Sequence, residues 1–147
     1  MPTILDTADR DALLARVSRL TPDAAPRFGT LSAHRAVRHL IDAYEVALGD
    51  KPAKPALFLV VWAHRLILGR LLNKPWPTMK PKPGYVAEPV DPAVWQADLG
   101  RLVTLIDRLA QPPTTWPAHP QIGRLTGAQW GVFLQRHTDH HLGQFGV

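Results

Sequence analysis

Apolar residues recur at three- and four-residue intervals through five stretches of the chain, and no stretch alternates apolar with polar as a strand would. The first covers residues 8–20. Asp6 or Thr7 caps it, and Leu13, Leu14, Val17 and Leu20 form its stripe. A loop with Pro22, Pro26 and Gly29 follows. Ser32 caps the second helix, which runs to Leu48, and Gly49 suits a left-handed C-terminal cap. The third helix covers residues 56–73, the most apolar segment. His64, Arg65 and Arg70 keep it short of the ~18 uninterrupted apolar residues of a membrane span, so a buried helix of a soluble bundle is expected.

Residues 74–90 then hold Pro75, Pro77, Pro81, Pro83 and Pro89, which exclude helix and central strand. A loop this long in a compact domain is usually functional or wraps the surface. Asp91 followed by Pro92 opens the fourth helix, which carries Val94, Trp95, Leu99, Leu102, Val103, Leu105, Ile106 and Leu109. After a second proline-containing connection over residues 111–124, Thr126 caps a fifth helix reaching about residue 145. The pattern predicts one all-α domain over residues 1–147. It is a four-helix bundle of helices ~16–20 residues long, with a short extra N-terminal helix. The 74–90 crossover allows its two neighbours to run parallel.

Composition narrows the chemistry. The 147 residues include no cysteine, which removes disulfides, thiolate metal sites and a cysteine nucleophile. A formal charge of +5 raises the question of nucleic acid. The arginines and lysines are dispersed, however, and the densest group, Lys74, Lys80 and Lys82, lies among prolines. A basic solvated surface is the expectation, with neither nucleic acid nor membrane as partner. The first residues lack a basic start and apolar run, so no signal peptide is expected and the cytoplasm is the default location. Any transition-metal site must draw on carboxylates and the seven histidines.

His137 and His141 are four apart, which places them ~40° apart on one helical face, one turn above the other. Trp130, Phe133, Leu134 and Phe145 lie within roughly 80° of His137 on the same wheel, so the two histidines stand where a bundle helix puts its core. Such a pair is equally well explained as core histidines hydrogen-bonded to backbone or to each other. His39 changes the balance. It lies mid-way along the second helix on a face of small residues, Ala36, Ala43 and Ala47, with Val46. Three imidazoles from two helices match the ligand count of catalytic zinc, and equally suit nickel, iron or manganese. His34 points elsewhere on its helix, His140 is expected at the surface and His64 in the core, and His119 has no evident partner. Asp42 reads as a solvated carboxylate or as a group supporting His39. Trp76 and Trp116 either cover the bundle or line a pocket mouth.

These pieces resemble a known family. His39-Leu40 on the second helix and a distant His137-x-x-x-His141 are similar to the DinB/YfiT-like metal-dependent four-helix proteins. The closest likeness is to a branch of short members ending in His-x-Asp-His-His-Leu-x-Gln-Phe-Gly, here His137 through Gly146. That branch also carries His119-Pro120, Gly123, Leu125-Thr126 and Trp130. The resemblance implies an up-down-down-up bundle, a divalent metal on His39, His137 and His141, and often a homodimer. It implies a small-molecule substrate, possible low-molecular-weight thiol chemistry, and a transferase or hydrolase type of activity. The alternative is a non-catalytic bundle whose histidines hold metal structurally or pack in the core. His34 stands where relatives often have glutamine, and Gly143 where they often have arginine.

Overall fold

The computed structural model describes residues 1–81 and 83–147; Lys82, one of the basic residues singled out above, lies outside the described residues. The described residues form six α-helices: α1 (Thr7–Val17), α2 (Ala33–Leu48), α3 (Phe58–Leu66), α4 (Leu68–Asn73), α5 (Pro92–Asp107), which runs on into a 3₁₀ turn, and α6 (Gly127–Gln144). Among the described residues there is no strand, only an isolated antiparallel bridge between His119 and Gly123.

The helix ends follow the capping chemistry. Asp6 accepts from the Asp9 amide at 3.1 Å, and the Asp91 carboxylate accepts from Ala93 and Val94 at 2.8 and 3.3 Å. Thr126 and Gln129 exchange bonds in a capping box, at 3.2 and 2.9 Å. Gly49 ends α2 at φ 81°, the left-handed conformation that glycine adopts without a Cβ penalty.

α2 packs most extensively on α5 and also meets α6, while α1 bridges α5 and α6 from the other side. These four enclose a core that includes Leu13, Val37, Leu40, Leu102, Ile106 and Leu134, all essentially inaccessible. Each such side chain contributes about 1.5–3 kcal/mol on burial. The expected short N-terminal helix is therefore an integral member of the packing.

The expectation for residues 56–73 needs correction. The segment breaks at Ile67 (φ −99°, ψ 8°) into α3 and α4. α4 docks on α6 and buries Leu68 and Leu72, whereas α3 buries none of its residues: Phe58 is 79% exposed, Leu59 74% and Trp62 56%. Apolar character here does not mean core position. α3 has no side-chain N-cap, and Gly69 weakens helix just beyond the break. α3 is held instead by the 119–125 turn: the Ala56 amide donates to the Pro120 carbonyl at 2.8 Å, and the Arg65 guanidinium donates to the Arg124 carbonyl.

The chain start crosses α6 at Gly131, where the Ile4 amide donates to the Gly131 carbonyl at 3.3 Å. A Cβ at Gly131 would lie 2.5 Å from Thr3 Oγ1 and 2.7 Å from Leu5 Cγ, while one at Gly143 would meet nothing within 4 Å. Gly131→Ala should therefore destabilise by about 1–3 kcal/mol through overpacking. Gly143→Ala, on the same helix, should stabilise by up to about 1 kcal/mol. Urea unfolding of the two variants checks the opposite signs.

Candidate metal centre

α2 delivers His39 to the same point at which α6 delivers His137 and His141. The three ring centroids are separated by 4.8, 5.1 and 5.0 Å, a nearly equilateral triangle. One nitrogen from each ring can be chosen so that all lie within 4.8 Å of one another, and the group can hold a metal ion. His39 Nε2 and His137 Nε2 approach to 2.9 Å. Two nitrogens bonded at about 2.1 Å to one tetrahedral ion are ~3.4 Å apart, so small ring rotations reach ligating distance.

The surroundings of each ring bear on that fit. His141 Nδ1 donates to Gln144 Oε1 at 3.2 Å, which leaves Nε2 with its lone pair. Gln144 is buried, and a Cβ at Gly29 would lie 2.8 Å from its Nε2, so the left-handed glycine (φ 73°) leaves that amide its space. His137 is buried, and its Nδ1 has no partner among the described residues. Among the described residues its one side-chain hydrogen-bonding neighbour is the His39 imidazole at Nε2, so the protein holds this buried ring at one nitrogen alone.

Burial lowers the pKa of all three rings. His141 is pushed down to about 4, with Gln144 opposing and the neighbouring histidines adding to the fall. His137 falls well below its ordinary 6.5 through burial first and the other histidines second. His39 is lowered by burial against the partial pull of Asp42. The lone pairs are therefore free at neutral pH, which is the state a metal requires.

A cavity of about 360 Å³ opens beside the triad, with His39 and His137 in its wall. Its other surfaces are mainly apolar, including Val46, Leu71, Trp76, Ile122, Trp130 and Phe133. Trp76, from the 74–90 connection, donates its indole N–H to the Leu71 carbonyl at 2.8 Å and sits 5.6 Å from His137. That segment thus supplies part of the cavity wall. Trp116 stacks on Trp130 at 6.0 Å and is not among the lining residues.

The remaining candidates divide. Asp139 pairs with Arg16 away from the triad, and His34 pairs with Asp98 at 2.7 Å between α2 and α5. Asp42 is exposed and paired with Lys51, yet it reaches the cavity rim. His140, expected at the surface, is partly buried against Trp76 at 5.5 Å and Phe28 at 5.0 Å. His64, expected in the core, stands on α3 and lines the cavity. His119, for which no role was evident, lines it too, 4.7 Å from Phe133 and 5.2 Å from Trp130. Periodicity is blind to a residue in a turn; the available signal was the His119-Pro120 with Gly123 pattern.

The chain belongs to the family described as "Protein of unknown function (DUF1569)", which matches residues 2–146. No curated protein matches, and no solved structure does. Membership covers the caps, the triad and the cavity turn together. Among the described residues no helix is long and apolar enough to cross a membrane.

The depressed pKa values set a pH dependence for the metal-free protein. Below 6.5 the unfolded chain takes up protons that the native rings refuse, so the unfolded state gains. Stability should be full above about pH 6.5 and fall progressively as the pH drops toward 4. Thermal melts in EDTA across that range check it, and His141→Ala should flatten the slope.

Proposed function

We propose that this protein is a metalloenzyme of the DinB/YfiT-like type. It holds a divalent ion on His39, His137 and His141 and acts on a small molecule in the adjoining cavity. The observation that carries the reading is the nearly equilateral approach of three imidazoles, two of them in the wall of a largely apolar cavity. A structural site is normally closed by four protein ligands, whereas three ligands beside open space leave a position for substrate. Zinc, nickel, iron or manganese are the candidate ions; such an ion supplies Lewis acidity, which acidifies a water or a thiol.

The chain's own contribution is positional. Gln144 holds His141 in the tautomer that presents Nε2, and burial keeps all three rings unprotonated. Trp76, Trp130 and Phe133 exclude water and receive an apolar substrate body. The family resemblance favours transfer of a low-molecular-weight thiol to an electrophile, with hydrolysis as the neighbouring possibility. The contacts among α1, α2, α5 and α6 support a bundle of four helices, and the exposed Phe58, Leu59 and Trp62 support its homodimer.

A second reading rests on one observation. The 2.9 Å approach of His39 to His137 is also a hydrogen-bond distance between neutral rings, which would make the triad a packed, metal-free core feature. Titration of tag-free protein with zinc separates the two. One ion per chain should bind and raise the melting temperature by roughly 5–10 °C at a hundredfold excess over Kd. His39→Ala and His141→Ala should abolish the shift, and His34→Ala should keep it. No stabilisation by zinc, nickel or manganese would leave the metal-free reading standing.

A further inference from the structure

Two histidines in the cavity wall take no part in the triad, and the protein fixes the tautomer of each. The amides of Gln121 and Ile122 both donate to His119 Nδ1, at 3.1 and 3.2 Å. An amide can only donate, so Nδ1 carries the lone pair and the proton sits on Nε2. His64 is set the other way. Its Nδ1 lies 2.9 Å from the Val60 carbonyl, which can only accept, so Nδ1 carries the proton and Nε2 the lone pair. Neither Nε2 has a partner among the described residues, and neither is sealed from solvent.

The two rings are also held together as a unit. The bond from Ala56 to Pro120 and the packing of Gly123 against Val61, where a Cβ would come within 3.2 Å, clamp the His119 turn onto α3. The cavity therefore presents one preset donor and one preset acceptor on an otherwise largely apolar surface, with Asp42 at its rim. Among the described residues no arginine or lysine lines it. Burial and the neighbouring His64 push the His119 pKa down to about 4, which keeps that donor neutral at physiological pH.

We propose that His64 Nε2 and His119 Nε2–H form a donor–acceptor recognition pair, and that the cavity's substrate carries a neutral carboxamide-type group on an aromatic or aliphatic body. An amide N–H would donate to His64 and its carbonyl would accept from His119. A carboxylate would leave the His64 lone pair facing negative charge, and a hydrocarbon would leave both nitrogens without a partner. This deepens the metalloenzyme reading by naming the substrate class, and it rests on that reading only for catalysis. The binding itself needs no ion.

The test uses the full chain labelled with ¹⁵N at its histidines, in EDTA at pH 7.5, with benzamide, benzoate and toluene as probes. Long-range proton–nitrogen spectra should show His119 protonated on Nε2 and His64 on Nδ1. Benzamide should shift both signals saturably and bind at least tenfold more tightly than benzoate. His119→Asn retains an oxygen where Nδ1 accepts from the turn but removes the Nε2 donor; His64→Leu removes the acceptor from an exposed helix. Each should weaken benzamide about three- to tenfold and leave toluene unchanged. Opposite tautomers, benzoate binding as well as benzamide, benzamide failing to bind, or equal losses for toluene and benzamide would each overturn the pair. Adding zinc then reports separately on the triad. If the His39, His137 and His141 signals do not respond, the metal reading fails and the pair is untouched.

Discussion

The arrangement depends on the register between α2 and α6, and one buried contact pins it. Tyr44 Oη and Thr138 Oγ1 lie 2.8 Å apart, both fully buried, with Thr138 directly after His137 and Tyr44 five residues after His39. A slip of either helix by one residue rotates its face by ~100° and carries an imidazole out of the triangle. It would also strand two hydroxyls in an apolar interior, each at about 1–3 kcal/mol. Leu40, Leu134 and Leu142 on the same two helices are likewise buried, and a close-packed interior leaves little room for an alternative packing. Burial also raises the Tyr44 phenol pKa, so the hydroxyl stays protonated and the bond persists across the pH range in which the histidines titrate.

What could be read from the residues tracks where the information is local. Asp91 with Pro92, Ser32, Gly49 and Thr126 announce their helix ends because capping is a contact over three or four positions. The triad was legible for a related reason: four-residue spacing on a regular helix fixes relative direction, and His39 stood on a face of small residues. The third apolar segment was misjudged because hydropathy reports transfer preference and not position. Phe58, Leu59 and Trp62 are as apolar as core residues yet lie on an exposed helix held by a turn more than fifty residues away in sequence. His64 was misplaced with them. His119 lay beyond periodicity altogether, since its direction is set by two backbone amides of its own turn.

Four histidines line the cavity, and they do not share one role. His137 and His141 are driven toward neutrality by burial and by neighbouring histidines, His39 by burial against the pull of Asp42, and their nitrogens approach one another. Convergence of lone pairs without protons is unfavourable in itself, because like-oriented dipoles repel and the buried acceptors go unanswered. The favourable completions are a shared proton, as in a His39–His137 hydrogen bond, or a cation. A cation engages all three rings at once through their lone pairs, whereas a bridging water does so only if one ring donates to it. His64 and His119 show the contrasting solution, in which each ring is tied by its Nδ1 to backbone and turns a defined nitrogen outward.

That contrast has a consequence for how binding at the two places is coupled. An ion on the triad would add positive charge to a wall in which no arginine or lysine stands among the described residues, and His137 already feels the field of His119. The added charge makes protonation of His119 still less favourable and strengthens its hold on the neutral tautomer. An ion at the triad and a neutral His119 would therefore reinforce each other, and one cavity would then attract an anionic reacting atom at one end and a neutral polar group at the other.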